Sequence, residues 1–166
     1  MYTSCDTYGE QAEYIREGLV YDKWLANCEY VLQNDIPLHV MITANALCVD
    51  SFYDFIKDLY KFKEKYNLTY GVSILNNPPF LDIRNLPKTE YWNAKFNKVL
   101  VYVSENKFTN SNELNYITRL KNYYNHSILT DEQLTKNKRD LVKFVAEIDR
   151  RRNKNFTNTF ANYTIS

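Results

Sequence analysis

Over residues 2–75 the chain alternates between strand-like and helix-like apolar patterns, and this alternation constrains the fold more than any other property. Tyr2-Thr3-Ser4-Cys5-Asp6 reads as a short strand, and Glu10 to Arg16 as a short helix ended by Gly18. Tyr21, Trp24, Leu25, Cys28, Val31 and Leu32 then recur at helical spacing. Asn34-Asp35 stops that helix, Pro37 forbids its resumption, and Leu38 to Asn45 reads as a mostly buried parallel strand. Asp50 or Ser51 is placed to cap a further helix carrying Phe52, Phe55, Ile56, Leu59, Tyr60 and Phe62, and Thr69 to Leu75 reads as a third strand. Strands separated by helices imply a parallel sheet, hence an α/β fold whose polar residues gather at the carboxyl ends of the strands. With only Met1 ahead of the first strand, the order reads as entered midway, so a site built from several strand ends is expected to be present only in part.

The pattern changes after the third strand. Asn76-Asn77-Pro78-Pro79 terminates it and opens a loop through Ile83 and Leu86. From Pro87 onward the sequence has helical features, which divides the chain into a β/α part, residues 1–86, and a helical extension, residues 87–166. Trp92, Phe96, Val99 and Val103 fit a helix entered at Pro87, although Lys98 to Ser104 also fits a strand. Asn110 with Glu113, and Thr130 with Gln133, have the capping-box spacing that starts a helix. Leu114, Ile117 and Leu120 line the first of these helices, and Leu134, Leu141, Phe144, Val145 and Ile148 the second; Phe156 and Phe160 anchor a polar tail.

Hydrophobic residues make up 45% of the chain, enough for a core, but 15 tyrosines bring polar tips that need partners when buried. A net charge of +1 gives no global field toward nucleic acid or an anionic membrane. Cys5, Cys28 and Cys48 form neither a C-x-x-C pair nor a ligand cluster, which suits a reduced, cytoplasmic protein. No apolar run is long enough to span a bilayer, so no membrane partner is expected. Arg150-Arg151-Arg152 with Lys154 is the one candidate for phosphate contact, but at a helix C-terminus such a run also complements the macrodipole. His39 and His126 lack metal-ligand spacing, and His39 in an apolar strand is expected to be hydrogen-bonded. Ser4 and Asp6 share one face of the first strand and Arg16 follows, a hydroxyl, carboxylate and guanidinium suited to a nucleoside or amino-acid ligand.

Ser4-x-Asp6-x-x-Gly9 followed by Glu13-Tyr14-Ile15-Arg16-x-Gly18 resembles the stretch around the fourth barrel strand of radical S-adenosylmethionine enzymes, in the branch that often carries twitch or SPASM extensions. The strand ending Thr43-Ala44-Asn45 resembles that family's fifth strand, and Val72-Ser73-Ile74-Leu75 with Asn76-Asn77-Pro78-Pro79 its sixth. Phe144-x-x-x-Ile148-Asp149-x-Arg151-Arg152-x-x-x-Phe156-x-x-x-Phe160 resembles the closing helix and tail of phage and bacterial relatives.

The resemblance implies a partial parallel (βα) barrel half, strands four to six, followed by a helical extension. It implies that Ser4 and Arg16 contact the ribose and methionine parts of S-adenosylmethionine, with Asn45 as a third cofactor-binding residue. The family's C-x3-C-x2-C loop and Gly-Gly-Glu-like segment do not occur, and no cysteine follows Cys48 to hold an auxiliary cluster. A 4Fe-4S cluster would therefore come only with an N-terminal barrel half, supplied from another chain by the partner of a split gene or encoded ahead of a start placed too late, or is lost in a degenerate remnant; this chain alone is expected to be inactive. The implied function is a truncated or split radical S-adenosylmethionine-like protein that contributes part of the cofactor site for radical modification of a peptide or nucleic-acid substrate. The alternative is a non-catalytic interaction module of the same architecture.

Overall fold

A computed structural model describes residues 1–126 and 128–164. Three strands, β1 (Tyr2–Ser4), β2 (Leu38–Ala44) and β3 (Leu68–Ile74), form one parallel sheet in the order β1-β2-β3. The short helix α1 (Gly9–Ile15) and the longer α2 (Tyr21–Gln33) connect β1 to β2, and α3 (Phe52–Lys63) connects β2 to β3. The protein is thus α/β, as the alternating pattern implies. Gly9 (φ +53°) and Gly18 (φ +78°) adopt left-handed backbone where the chain enters and leaves α1; space for a side chain is not the constraint at either.

Beyond two short 3-10 turns, Pro79–Leu81 and Ile83–Asn85, come α4 (Glu90–Glu105), α5 (Ser111–His126), α6 (Asp131–Arg152) and α7 (Phe156–Thr159). The ambiguous stretch 98–104 is helical, because Trp92, Phe96, Val99 and Val103 bury one face of α4. These residues, with Ile117, Leu120 and Tyr124 of α5, join the same core as Val40, Ile42, Phe55 and Leu59, so the sheet and the first two helices of segment 87–166 share one apolar interior. Both capping boxes form: Asn110 Oδ1 accepts from Glu113 N–H at 2.9 Å, and Thr130 Oγ1 from Gln133 N–H at 3.2 Å. Ser51 occupies the N-cap of α3 without capping it; its hydroxyl is drawn to Gln11 Oε1 (2.6 Å) and Thr7 Oγ1 (2.7 Å).

The sheet is asymmetric in two ways. Leu38, Val40, Ile42 and Ala44 point from β2 into the core with Leu68, Tyr70 and Val72 of β3, whereas the opposite face carries Ser4, His39, Met41, Thr43, Gly71 and Ser73 and opens to solvent, with Met41 50% exposed. The two edges differ as well. On the β3 side, Lys63 Nζ donates to Leu68 O (3.2 Å), Tyr70 N–H donates to Glu113 Oε1 (3.3 Å), and Arg119 Nη2 donates to Val72 O (2.7 Å). Side chains of α3 and α5 therefore occupy that edge. On the β1 side the ladder uses Met1 O and Cys5 N–H toward β2, while the alternating backbone groups of Tyr2 and Ser4 point outward without a partner among the described residues.

Buried tyrosines find the partners their hydroxyls require. Tyr14 Oη donates to Asp149 Oδ1 (2.9 Å), Tyr21 to Asp58 Oδ2 (3.1 Å) and Tyr124 to Pro87 O (2.7 Å). Phe156 and Phe160 form the anchors expected of the tail, packing with Tyr14 and Val145 in a second, smaller cluster. No helix among the described residues is long and apolar enough to cross a membrane.

Candidate functional site at the strand ends

At its carboxyl end, β1 hands its role to a side chain. After the rung from Cys5 N–H to Met41 O (3.3 Å), the next amide of β2, Thr43 N–H, donates to Asp6 Oδ1 at 2.7 Å. The carboxylate thus continues the hydrogen-bonding pattern one step past the strand. Arg16, at the C-cap of α1, forks onto it, with Nε 2.9 Å from Oδ2 and Nη2 3.2 Å from Oδ1. Burial opposes the guanidinium charge, but the hydrogen bonds and charge of Asp6 outweigh it and hold the Arg16 pKa above its ordinary value. Asp6 is buried and Arg16 partly exposed, so the pair fastens α1 to the sheet while leaving Nη1 of Arg16 uncommitted to Asp6.

The other two cofactor candidates are placed differently. Ser4 lies on the open face beside Met41, half-buried, and its hydroxyl has no hydrogen bond among the described residues. Asn45 is buried at the end of β2, where Oδ1 accepts from Leu47 N–H (3.0 Å) and Nδ2 donates to Thr43 O (3.1 Å). Both ends of that amide hold the 3-10 turn Ala46–Cys48. Ser4, Arg16 and Asn45 therefore all lie at the strand ends or the open face; among the described residues the Ser4 hydroxyl is without a hydrogen bond, whereas the Asn45 amide is buried and bonded through both its oxygen and its nitrogen.

His39 belongs with them. Its Nδ1 is 2.8 Å from Thr69 Oγ1, and the ring lies across Gly71, where an added Cβ would come 3.1 Å from Nε2. Its expected hydrogen bond is present, and the absence of a side chain at Gly71 leaves room for the imidazole beside it. The signal was available in the strand pattern: His39 alternates with Leu38, Val40 and Ile42 and so faces away from the core.

The basic run at the end of α6 is already engaged. Arg150 and Arg151 both bond Glu147, whose carboxyl is lowered to about 2 by them, while Arg152 donates to Tyr14 O (3.1 Å) and pairs with Glu17 (3.2 Å). Among the described residues no three His, Cys, Asp or Glu side chains are grouped to hold a metal ion.

The three thiols do not suit an iron–sulfur cluster. Cys5, Cys28 and Cys48 are free and buried; desolvation pushes Cys5 and Cys28 up to about 12 and Cys48 well above its ordinary value. At pH 8 the thiolate fraction of Cys5 and Cys28 is on the order of one in ten thousand. A disulfide reagent is accordingly expected to label the native protein slowly, at a rate that still climbs above pH 8, and to titrate all three thiols at once in denaturant. Rapid labelling of the folded protein would contradict this placement.

The chain matches no family model, no curated protein and no solved structure.

Proposed function

We propose that the chain supplies one half of an S-adenosylmethionine site in a radical S-adenosylmethionine-like protein, as a partial (βα) barrel completed by strands from another chain. The observation that carries this reading is the double asymmetry of the sheet: one face and one edge are covered, while among the described residues no helix covers the other face and no strand or side chain pairs with the β1 edge. In a (βα) barrel the helices pack outside the sheet and polar site residues gather at the strand ends, and the helix-free face with Ser4, His39 and Thr43 suits the inner position. In this reading Ser4 holds the ribose and the free Nη1 of Arg16 meets the methionine carboxylate. Asp6 positions Arg16, and Asn45 shapes the rim. S-adenosylmethionine itself supplies the hydrogen-abstracting chemistry once an electron donor held by the other chain reduces it.

The alternative, a non-catalytic interaction module, is favoured by Asn45, which is buried and bonds Leu47 N–H and Thr43 O of its own chain segment. Titration of S-adenosylmethionine into the purified chain by calorimetry separates the two. Saturable binding is expected, weakened about tenfold by Ser4→Ala and by Arg16→Met, the size expected for loss of one hydrogen bond to a charged or sugar group. Absence of binding, or unchanged affinity in both variants, removes the cofactor reading and leaves the interaction module.

A further inference from the structure

Ala46, the loop that follows β3, the start of α4, residues 128–141 and the tail at 162–164 line an open-sided cavity of about 580 Å3. Its volume falls in the range that takes a small molecule, and its walls are largely apolar, with Leu86, Trp92, Leu134 and Leu141 among them. None of Ser4, Asp6, Arg16 or Asn45 lines it.

Among the described residues, the charged side chains that line this cavity are all cationic. Arg84, Lys88 and Lys138 contribute to the lining, and no carboxylate side chain does among the described residues. Arg84 is neutralised by the buried Asp82, with Nη2 2.7 Å from Oδ2. Lys88 is in no ion pair among the described residues; its ammonium sits 3.6 Å from the centroid of the Tyr124 ring and donates to the Tyr124 carbonyl. No other hydrogen bond of this ammonium is made among the described residues, which leaves donor capacity for a ligand. Lys88 is exposed overall, and partial desolvation of its ammonium lowers its pKa below that of an ordinary lysine. On the wall, the buried Asn137 donates to Asn85 Oδ1 at 2.8 Å, which fixes an amide where it can orient a polar head.

From this combination we propose that the cavity binds a soluble amphipathic anion, with its apolar body between α6 and Trp92 and its single anionic head at Lys88. A carboxylate or a phosphate monoester satisfies the same chemistry. The inference is independent of the S-adenosylmethionine reading, because the two sites share no residue.

The test is displacement of 8-anilinonaphthalene-1-sulfonate from the folded protein by decanoate, by decyl phosphate and by decyltrimethylammonium, with calorimetry to fix stoichiometry. The two anions are expected to bind one to one, and the cationic amphiphile at least about tenfold more weakly. Lys88→Met should lower decanoate affinity about tenfold while Lys88→Arg retains it, and Leu134→Trp, which adds bulk to the cavity wall, should weaken binding. Equal affinity for cation and anion overturns the proposal, as does wild-type binding by Lys88→Met. Vesicles of phosphatidylglycerol are the control for a membrane surface: sedimentation of the protein with them, without binding of monomeric decanoate, overturns the soluble-ligand assignment. Should Leu134→Trp fail to fold, the comparison of Lys88→Met with Lys88→Arg decides alone.

Discussion

Glu113→Ala is expected to destabilise the protein by about 3–5 kcal/mol, because it leaves a buried ammonium without its counter-ion. The Glu113 side chain is fully buried and that of Lys63 only 6% exposed; Nζ lies 2.7 Å from Oε1 and 2.9 Å from Oε2. The same carboxylate accepts from Tyr70 N–H on the sheet edge and from Asn110 N–H (3.2 Å) at the start of α5. Truncation therefore strands a cation and two amides together, and the Tyr60 and Tyr70 rings at 5.6 and 5.9 Å from Nζ replace little of the lost interaction. Glu113→Gln removes the charge but keeps one acceptor oxygen, enough for only one of the two amides, so an intermediate loss is expected. Adding Lys63→Met to Glu113→Ala should recover part of the stability, since the orphaned charge is then gone. Urea unfolding of the four proteins measures this ordering; a Glu113→Ala midpoint equal to wild type would show that the pair contributes nothing.

Phe160→Ala is expected to cost a similar amount, about 3–5 kcal/mol, through a cavity in the smaller cluster. Phe160 is fully buried, edge-on to Tyr14 at 5.1 Å, stacked on Phe156 at 4.8 Å and edge-on to Tyr163 at 5.4 Å. This packing is what holds the tail against α1. Around it, Gln11 Nε2 donates to Thr159 O (3.2 Å) and Phe156 N–H to Asp149 Oδ2 (3.0 Å), bonds that depend on the aromatic ring staying in place. Loss of the ring should lower the melting temperature and speed amide exchange in α7 and α1 before α3 or the sheet responds. If exchange accelerates uniformly instead, the tail is not a separately opening unit.

Much of the framework was legible because its signals are local. The three strands fall within a residue or two of the runs that suggested them, and the capping boxes at Asn110 and Thr130 could be read from spacing alone. The stretch Val99–Val103 could not be settled that way, since a short apolar run suits either period; burial of Phe96 and Val103 on one helical face settles it. The second role of Glu113 was hidden for a different reason: its partners Lys63 and Tyr70 lie 50 and 43 residues away, and no local pattern encodes such meetings. At the strand ends, Ser4, Arg16 and Asn45 could be nominated, but not the use of Asp6 as a rung for Thr43 or the consumption of the Asn45 amide by its own turn. The cavity beside Lys88 draws on four separate segments, and none of them carries a motif.

The side chains that occupy the outer edge of β3 also limit the stoichiometry of sheet growth. A ribbon extends indefinitely only if each added copy offers a fresh edge to the next. Here Lys63, Glu113 and Arg119 act as a chain terminator on one side, so two copies that met along β1 would leave no edge exposed for a third. Edge-to-edge association of the folded chain is therefore restricted to a closed pair, and a filament would require α5 to leave the sheet first.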